Sequence, residues 1–284
     1  MKKALAIILS IVTVLSFAAI FASCGGDDTK PTDNPSATTD EQTTENTAVE
    51  TDLDYVKKKG KLVVGITDFK PMDYKEKDSD EWIGFDADMA KAFAKSLGVE
   101  AEFVVINWDF KITDLQNKSI DCVWNGMTLT DDVKAKMETS KAYMTNAQVI
   151  VVPSDKAEKY AAAEACKDLS FAVEGGSAGK EMAEQNGFKF TEVQYQSDAV
   201  NEVASGTSDA AIIDLLMAGA MIGKGTGYEN LTYTAKLNSE DYGVGFRKGS
   251  PLAKELDNFF ASALADGSML KTAEKYGVQE SLIK

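Results

Sequence analysis

Histidine is absent from this chain, and arginine occurs once, as Arg247. Without histidine the commonest metal ligand and the commonest general base are missing. Zinc hydrolysis and Ser-His-Asp chemistry are therefore excluded, and neither a metal nor a cofactor is expected. Cysteine is scarce: Cys24, Cys122 and Cys166. Cys122 sits in an apolar, strand-like run and Cys166 in an Ala-rich stretch, so both read as buried free thiols rather than a disulfide framework. Positive charge is outweighed, with a formal net charge of −15. That balance argues against nucleic acid and against anionic lipid headgroups as partners.

What is present begins with Lys2 and Lys3, followed by an apolar run from Ala4 to Ile20 broken by Ser10, Thr13 and Ser16. A charged n-region before an apolar h-region reads as an export signal over residues 1–23. A retained anchor helix is the alternative, although the run is at the short limit for crossing a bilayer. Residues 24–50 are mostly Gly, Asp, Thr, Asn, Pro and Glu, with Ala37, Ala48 and Val49 as the only aliphatics. Such a segment cannot bury enough surface to offset its ordering entropy, and it reads as a disordered acidic tether. No comparable hydrophobic span follows it.

About 230 residues remain, enough for two small domains or one large one. Lys61–Ile66 is a β-branched run bounded by Gly60, hence a buried strand. From Phe85 to Leu97, apolar Ala90, Phe93, Ala94 and Leu97 follow helical spacing until Gly98. Phe103–Ile106 reads as a strand, 112–118 as a helix and Ile120–Trp124 as a strand. Val149–Val152 is a strand closed by Pro153, after which the alternation restarts. Strands are expected at 169–173, 190–193 and 210–213, with helices after Ala178, over 199–205 and over 215–222. Residues 231–237 and 243–246 are strand-like. Ser250-Pro251 opens a helix with Leu252, Leu256, Phe259, Phe260 and Ala263 on one face, ended by Gly267. Strand–helix alternation of this kind implies an α/β fold.

Several blocks now stand in a recognisable order: Lys61-Leu62-Val63-Val64-Gly65, Gly84-Phe85-Asp86-Ala87-Asp88, Asn107-Trp108-Asp109, Asn125-Gly126-Met127-Thr128-Leu129-Thr130, Asp209-Ala210-Ala211-Ile212-Ile213-Asp214, Tyr242-Gly243-Val244-Gly245-Phe246-Arg247-Lys248-Gly249 and Ala265-Asp266-Gly267. In this order, from about Gly60 to Gly277, the chain resembles the bacterial extracellular solute-binding proteins of family 3. Phe21-Ala22-Ser23-Cys24 likewise resembles a bacterial lipobox with Phe in place of the usual Leu. That match implies acylation of Cys24, and two or more acyl chains anchor stably because each buried methylene contributes about 0.8 kcal/mol.

The family resemblance implies a periplasmic-binding-protein type II fold. Each of its two lobes would be a mostly parallel sheet flanked by helices, joined by two hinge strands. Lobe 1 would comprise 51–149 and 237–284, lobe 2 would comprise 150–236, and the hinges would fall near Gln148–Val152 and Thr234–Asn238. A ligand would sit in the cleft at strand C-terminal ends.

The resemblance also nominates ligand contacts. Phe69 and Trp108 stand where the family places aromatics, in polar turns beyond strand ends. Their faces would contribute about 0.5–2 kcal/mol each over a cation; packing in the core is the alternative. Asn125, Gly126 and Thr128 end a strand before a helix capped by Thr130, and Gly126 and Thr128 match the positions that take an amino acid's ammonium and carboxylate. Ser177 and Ala178 belong to Gly176-Ser177-Ala178-Gly179, which matches an anion-binding loop at a helix N-terminus. No Gly-Lys-Ser/Thr ending follows, so a nucleotide loop is disfavoured. Asp214 aligns with the carboxylate that pairs the ligand's ammonium, the alternative being a helix N-cap. Glu174 adds a second carboxylate.

One departure stands out. The family's carboxylate-gripping Arg is replaced by Val133, so its forked donors are missing. Lys134 points about 100° round the helix and is a poor substitute. Either backbone amides hold a carboxylate or the ligand lacks one, and Glu174 with no Arg opposite hints at a cationic ligand.

The expected function is the capture subunit of an ABC importer for an amino acid or related amine. It would be monomeric, lipid-anchored at Cys24 to the outer face of the membrane, and would work with permease subunits. The alternatives are an enzyme on the same fold, such as a cyclohexadienyl dehydratase, or a sensor without transport.

Overall fold

The structure is a computed structural model that describes residues 50–284. The expected export signal, Cys24 and nearly all of the expected tether lie outside the described residues.

The first run of elements is α1 (Asp52–Lys59), β1 (Lys61–Ile66), α2 (Phe85–Ser96), β2 (Glu100–Val105), α3 (Lys111–Gln116), β3 (Cys122–Thr128) and α4 (Asp131–Lys136). Two short strands follow, β4 (Glu138–Thr139) and β5 (Met144–Asn146). The middle of the chain forms β6 (Gln148–Pro153), β7 (Ser170–Glu174), α5 (Ala178–Asn186), β8 (Lys189–Val193), α6 (Gln196–Ser205), β9 (Ala210–Asp214), α7 (Leu215–Met221) and β10 (Leu231–Lys236). It closes with β11 (Glu240–Phe246), α8 (Leu252–Ala265) and α9 (Ser268–Tyr276).

Two sheets result. The first has the order β2-β1-β3-β11-β4, with β5 also on β11, and the second has the order β10-β6-β9-β7-β8. The α/β fold and the two-sheet arrangement agree with the sequence reading, but both sheets are mixed rather than mostly parallel. β1 runs parallel to β2 and β3, whereas β11 is antiparallel to β3, β4 and β5. In the second sheet β7 is parallel to β8 and β9, while β6 is antiparallel to both β9 and β10.

The antiparallel pairs arise where the chain changes sheet. It leaves the first sheet after β5, passes Ala147 and enters β6, then returns from β10 through Leu237, Asn238 and Ser239 to β11. These two crossings are bonded to each other. Leu237 N donates to Gln148 O at 2.8 Å, and Gln148 N donates to Asn238 Oδ1 at 2.6 Å.

Two helices extend the sequence reading. α1 precedes Lys61–Ile66, the first element read from the sequence. Its start carries a capping box in which Thr51 and Asp54 satisfy each other's backbone N–H groups. α9 follows Gly267, whose left-handed φ of +78° turns the chain at the junction with α8. At the start of α8, Pro251 takes the cap position and Ser250 Oγ accepts from Leu252 N at 3.4 Å, one residue from the expected arrangement.

The first sheet packs on an aromatic cluster. Trp124 lies edge-on to Phe260 at 5.6 Å, and Phe93 meets Trp124 at 6.2 Å and Phe259 at 5.5 Å. Phe171 stacks on Phe188 at 4.5 Å beneath the second sheet. Cys122 and Cys166 are both buried free thiols, as the composition suggested. Arg247 is a structural clamp: its Nε reaches both carboxylate oxygens of Asp52 at 2.9 Å, and its Nη2 reaches buried Asp121 at 3.1 Å. It thereby ties α1 to the base of β3, far from the cleft.

Candidate ligand-binding cleft

Strand ends from both sheets converge on one cavity enclosing about 530 Å³ of unfilled space, some of it open to solvent. Phe69, Trp108, Asn125, Gly126, Thr128, Ser177, Ala178 and Asp214 all line it. The first five come from the turns after β1 and β2 and from β3 itself; the last three come from the α5 loop and the end of β9.

Phe69 is held in a tight turn in which its N–H donates to Asp73 O at 2.7 Å. Its ring meets Tyr242 edge-on at 6.4 Å, and it is only 2 % exposed. Trp108 is similarly enclosed, packing with Ile106, Leu115 and Val133. Each ring therefore serves both as core and as cavity wall, so the two roles weighed from sequence are not exclusive.

Gly126 shows why its position has no side chain. Its φ is +54°, and a Cβ there would lie 2.5 Å from Phe69 Cε1 and 3.0 Å from Tyr242 Cε2. Its N–H donates to buried Asp86 Oδ2 at 2.7 Å. The Asn125 side chain is engaged within the protein. Its Nδ2 donates to Thr67 O at 3.0 Å and Asp73 Oδ2 at 2.8 Å, and its Oδ1 accepts from Thr67 Oγ1 at 2.6 Å. The Thr128 hydroxyl donates to Glu240 Oε1 at 3.0 Å.

On the opposite wall, Ser177 caps α5, accepting from Lys180 N at 3.1 Å and donating to Glu174 O at 2.8 Å. Ala178, the first residue of that helix, lines the cavity with the helix's positive end. Asp214 stands at the cap position of α7 but makes no side-chain cap bond. Its Oδ1 accepts from Asn146, from Gln148 at 2.9 Å and from Tyr242 at 2.7 Å, and its Oδ2 accepts from Gln196. Burial pushes Asp214 up to about 8, and the charge of Glu240 adds to the effect. Burial also raises Glu174 to about 8, helped by Asp214 and opposed by Lys111.

The sequence reading did not single out Lys111 or Gln196, and both line the cavity. Lys111 Nζ donates to Trp108 O at 3.1 Å and crosses the cleft to Gly176 O at 2.8 Å, while lying 4.9 Å from the centre of the Trp108 ring. Burial lowers its proton affinity and the nearby Glu174 opposes that shift. Gly176 (φ +67°) comes so close to the facing wall that a Cβ would lie 2.9 Å from Asp109 Cα. Val133 is buried against the core, and Lys134 does not line this cavity.

Two mixed α/β sheets, crossed twice by the chain and enclosing a polar cavity between strand ends, define a type II binding-protein architecture. The chain belongs to the bacterial extracellular solute-binding proteins, family 3, whose sequence profile it matches over residues 62–279. It is 32 % identical over 227 residues to the arginine-binding extracellular protein ArtP of Bacillus subtilis, covering 77 % of this chain and 86 % of ArtP. The L-cystine-binding protein TcyA of Bacillus subtilis is 28 % identical over 280 residues, or 97 % of either chain. Among solved structures, the ancestral amino acid-binding protein AncCDT-1, described as a precursor of cyclohexadienyl dehydratase, superposes with a TM-score of 0.72. It is 34 % identical and covers 79 % of this chain and 98 % of its own. All three are named as binding proteins, and the chain is a binding protein rather than an enzyme. Among the described residues, no helix is long and apolar enough to cross a membrane.

Proposed function

We propose that this protein captures an amino acid, or a closely related amine, for an ABC importer. Residues 51–149 with 237–284 would form one lobe and 150–236 the other, closing on the ligand about the two crossings. The observation that carries this reading is the convergence of the eight nominated residues from both sheets on one cavity.

The ligand's α-ammonium would sit against Asp214 Oδ2, which accepts from Gln196 and has a second lone pair to offer. The Gly126 carbonyl would be its second acceptor. Lys111 supplies the counter-charge that Val133 cannot. An ammonium has three N–H donors, and two of them are engaged by Trp108 O and Gly176 O. The third would take the α-carboxylate together with the Ala178 amide. Phe69 and Trp108 would flank the apolar part. Because Lys111 already bonds across the cleft, a ligand gripping it would strengthen the closed form over the open one.

The names of relatives support the amino-acid class without choosing a member, since one binds arginine and another L-cystine. Delivery to permease subunits, and attachment to the membrane through Cys24, extend the same reading. Isothermal titration of the purified protein against the proteinogenic amino acids and L-cystine tests it. Saturable binding of at least one, with a rise in melting temperature at saturating ligand, is the expected result. A folded protein that binds none would refute it.

A further inference from the structure

The cavity is unbalanced in charge. Its lining includes the carboxylates of Asp132, Glu174, Glu181 and Asp214, against a single cation, Lys111. None of Glu174, Glu181 and Asp214 has a lysine or arginine within salt-bridge distance among the described residues, and Asp132 alone pairs, with Lys136 on the helix surface.

Glu174 differs from the others in a way that points to a ligand. Its side chain is buried, with the residue 3 % exposed, and its Oε1 has no hydrogen-bond donor among the described residues. Buried carboxylate oxygens find partners, because an unmatched one forfeits its hydration and gains nothing in exchange. Asp214, on the same wall, already takes four donors. The two acids thus offer different things: Asp214 is a largely satisfied acceptor, whereas Glu174 keeps one open oxygen, Oε1.

We infer that Glu174 Oε1 receives a second cationic nitrogen of the ligand, so that the substrates are amino acids with an ammonium or guanidinium on the side chain. This rests on the amino-acid reading above and narrows it. A zwitterion with a neutral side chain would place its ammonium at Asp214 and its carboxylate at Lys111, leaving Glu174 Oε1 without a partner. A basic amino acid supplies the missing donor. Glu181 and Asp132, nearer the mouth, would favour entry of the same class electrostatically.

L-Arginine and L-citrulline have nearly the same shape and differ in this charge. Calorimetry with the wild-type protein should therefore show arginine or lysine binding about 30-fold or more tightly than citrulline. Glu174→Gln, which keeps the volume but cannot ionise to meet a cation, should cut arginine affinity by a similar factor and change citrulline affinity less than about threefold. A thermal melt reports whether the variant folds, and the wild-type comparison stands without it. Equal affinity of the wild-type protein for arginine and citrulline, or a variant that loses both alike, would overturn the inference while leaving amino-acid capture intact. Binding of no amino acid would overturn both.

Discussion

Asp214 and Glu240, from different sheets, share their hydrogen-bond donors. Asn146 Nδ2 donates to both carboxylates, and Gln148 Nε2 reaches Asp214 Oδ1 at 2.9 Å and Glu240 Oε1 at 2.8 Å. Asn238 on the return crossing adds a bond to Glu240 Oε2 at 2.8 Å. One wall of the cavity is therefore built directly on the two points where the chain changes sheet. A ligand that alters the charge of Asp214 acts on the same amides that hold the crossings.

Asp214→Ala should lower ligand affinity at least about 100-fold, equivalent to ~2.7 kcal/mol. The far-UV circular dichroism should be unchanged, because Asp214 caps no helix through its side chain. Calorimetry on the variant checks this; wild-type affinity would mean that Asp214 only organises the crossings.

The ligand-free protein should lose stability as pH rises from about 5 to 9. Asp214 and Glu174 are raised by burial to about 8 and Asp86 to about 7 in the folded state, well above the ordinary carboxylate range. Between the unfolded and folded values the native state holds more protons, so stability falls with pH and is lost through pH 7–8. Asp209 and Asp266, held below their usual values by bonds to Ser170 and Ser268, act oppositely but only in the acid range. Melting temperatures across this range should decline, and a saturating cationic ligand should flatten the decline.

Gly126→Ala should destabilise the fold by roughly 1–3 kcal/mol, because the added methyl would overlap the Phe69 ring in a left-handed backbone conformation. Since Phe69 must move to relieve the overlap, ligand affinity should fall as well. Chemical denaturation and titration of the same sample measure the two effects together.

Arg247→Ala separates stability from binding. It removes the charge that bridges Asp52 and Asp121, though Lys59 still reaches Asp121 at 2.5 Å. A loss of about 2–4 kcal/mol is expected, towards the lower part of the range for a broken buried pair. Ligand affinity, measured well below the melting point, should be unchanged.

Much of the cleft is legible in the sequence because its residues sit at strand ends, where apolar runs stop and Phe69, Trp108, Gly126 and Asp214 stand out against polar turns. Lys111 is harder to read. Its amine reaches the cavity by folding back on Trp108 O, three residues earlier, a contact that the Trp-x-x-Lys spacing allows but does not demand. Gln196 lies at the first position of α6 and touches Asp214 only through tertiary packing. The direction of β6, β10 and β11 is likewise set by the crossings, which no local pattern encodes. The start of α1 was readable, since Thr51 and Asp54 carry the spacing of a capping box, whereas Gly267 marks a junction between helices as naturally as an end.

The two buried thiols carry a practical consequence. Cys122 and Cys166 are unlinked, so no covalent bridge has to form before the described part of the chain becomes native. Its folding should be indifferent to the oxidising or reducing character of the compartment in which it takes place. A protein made in the cytoplasm of an expression host and one recovered after export should then share the same unfolding curve, with or without reductant.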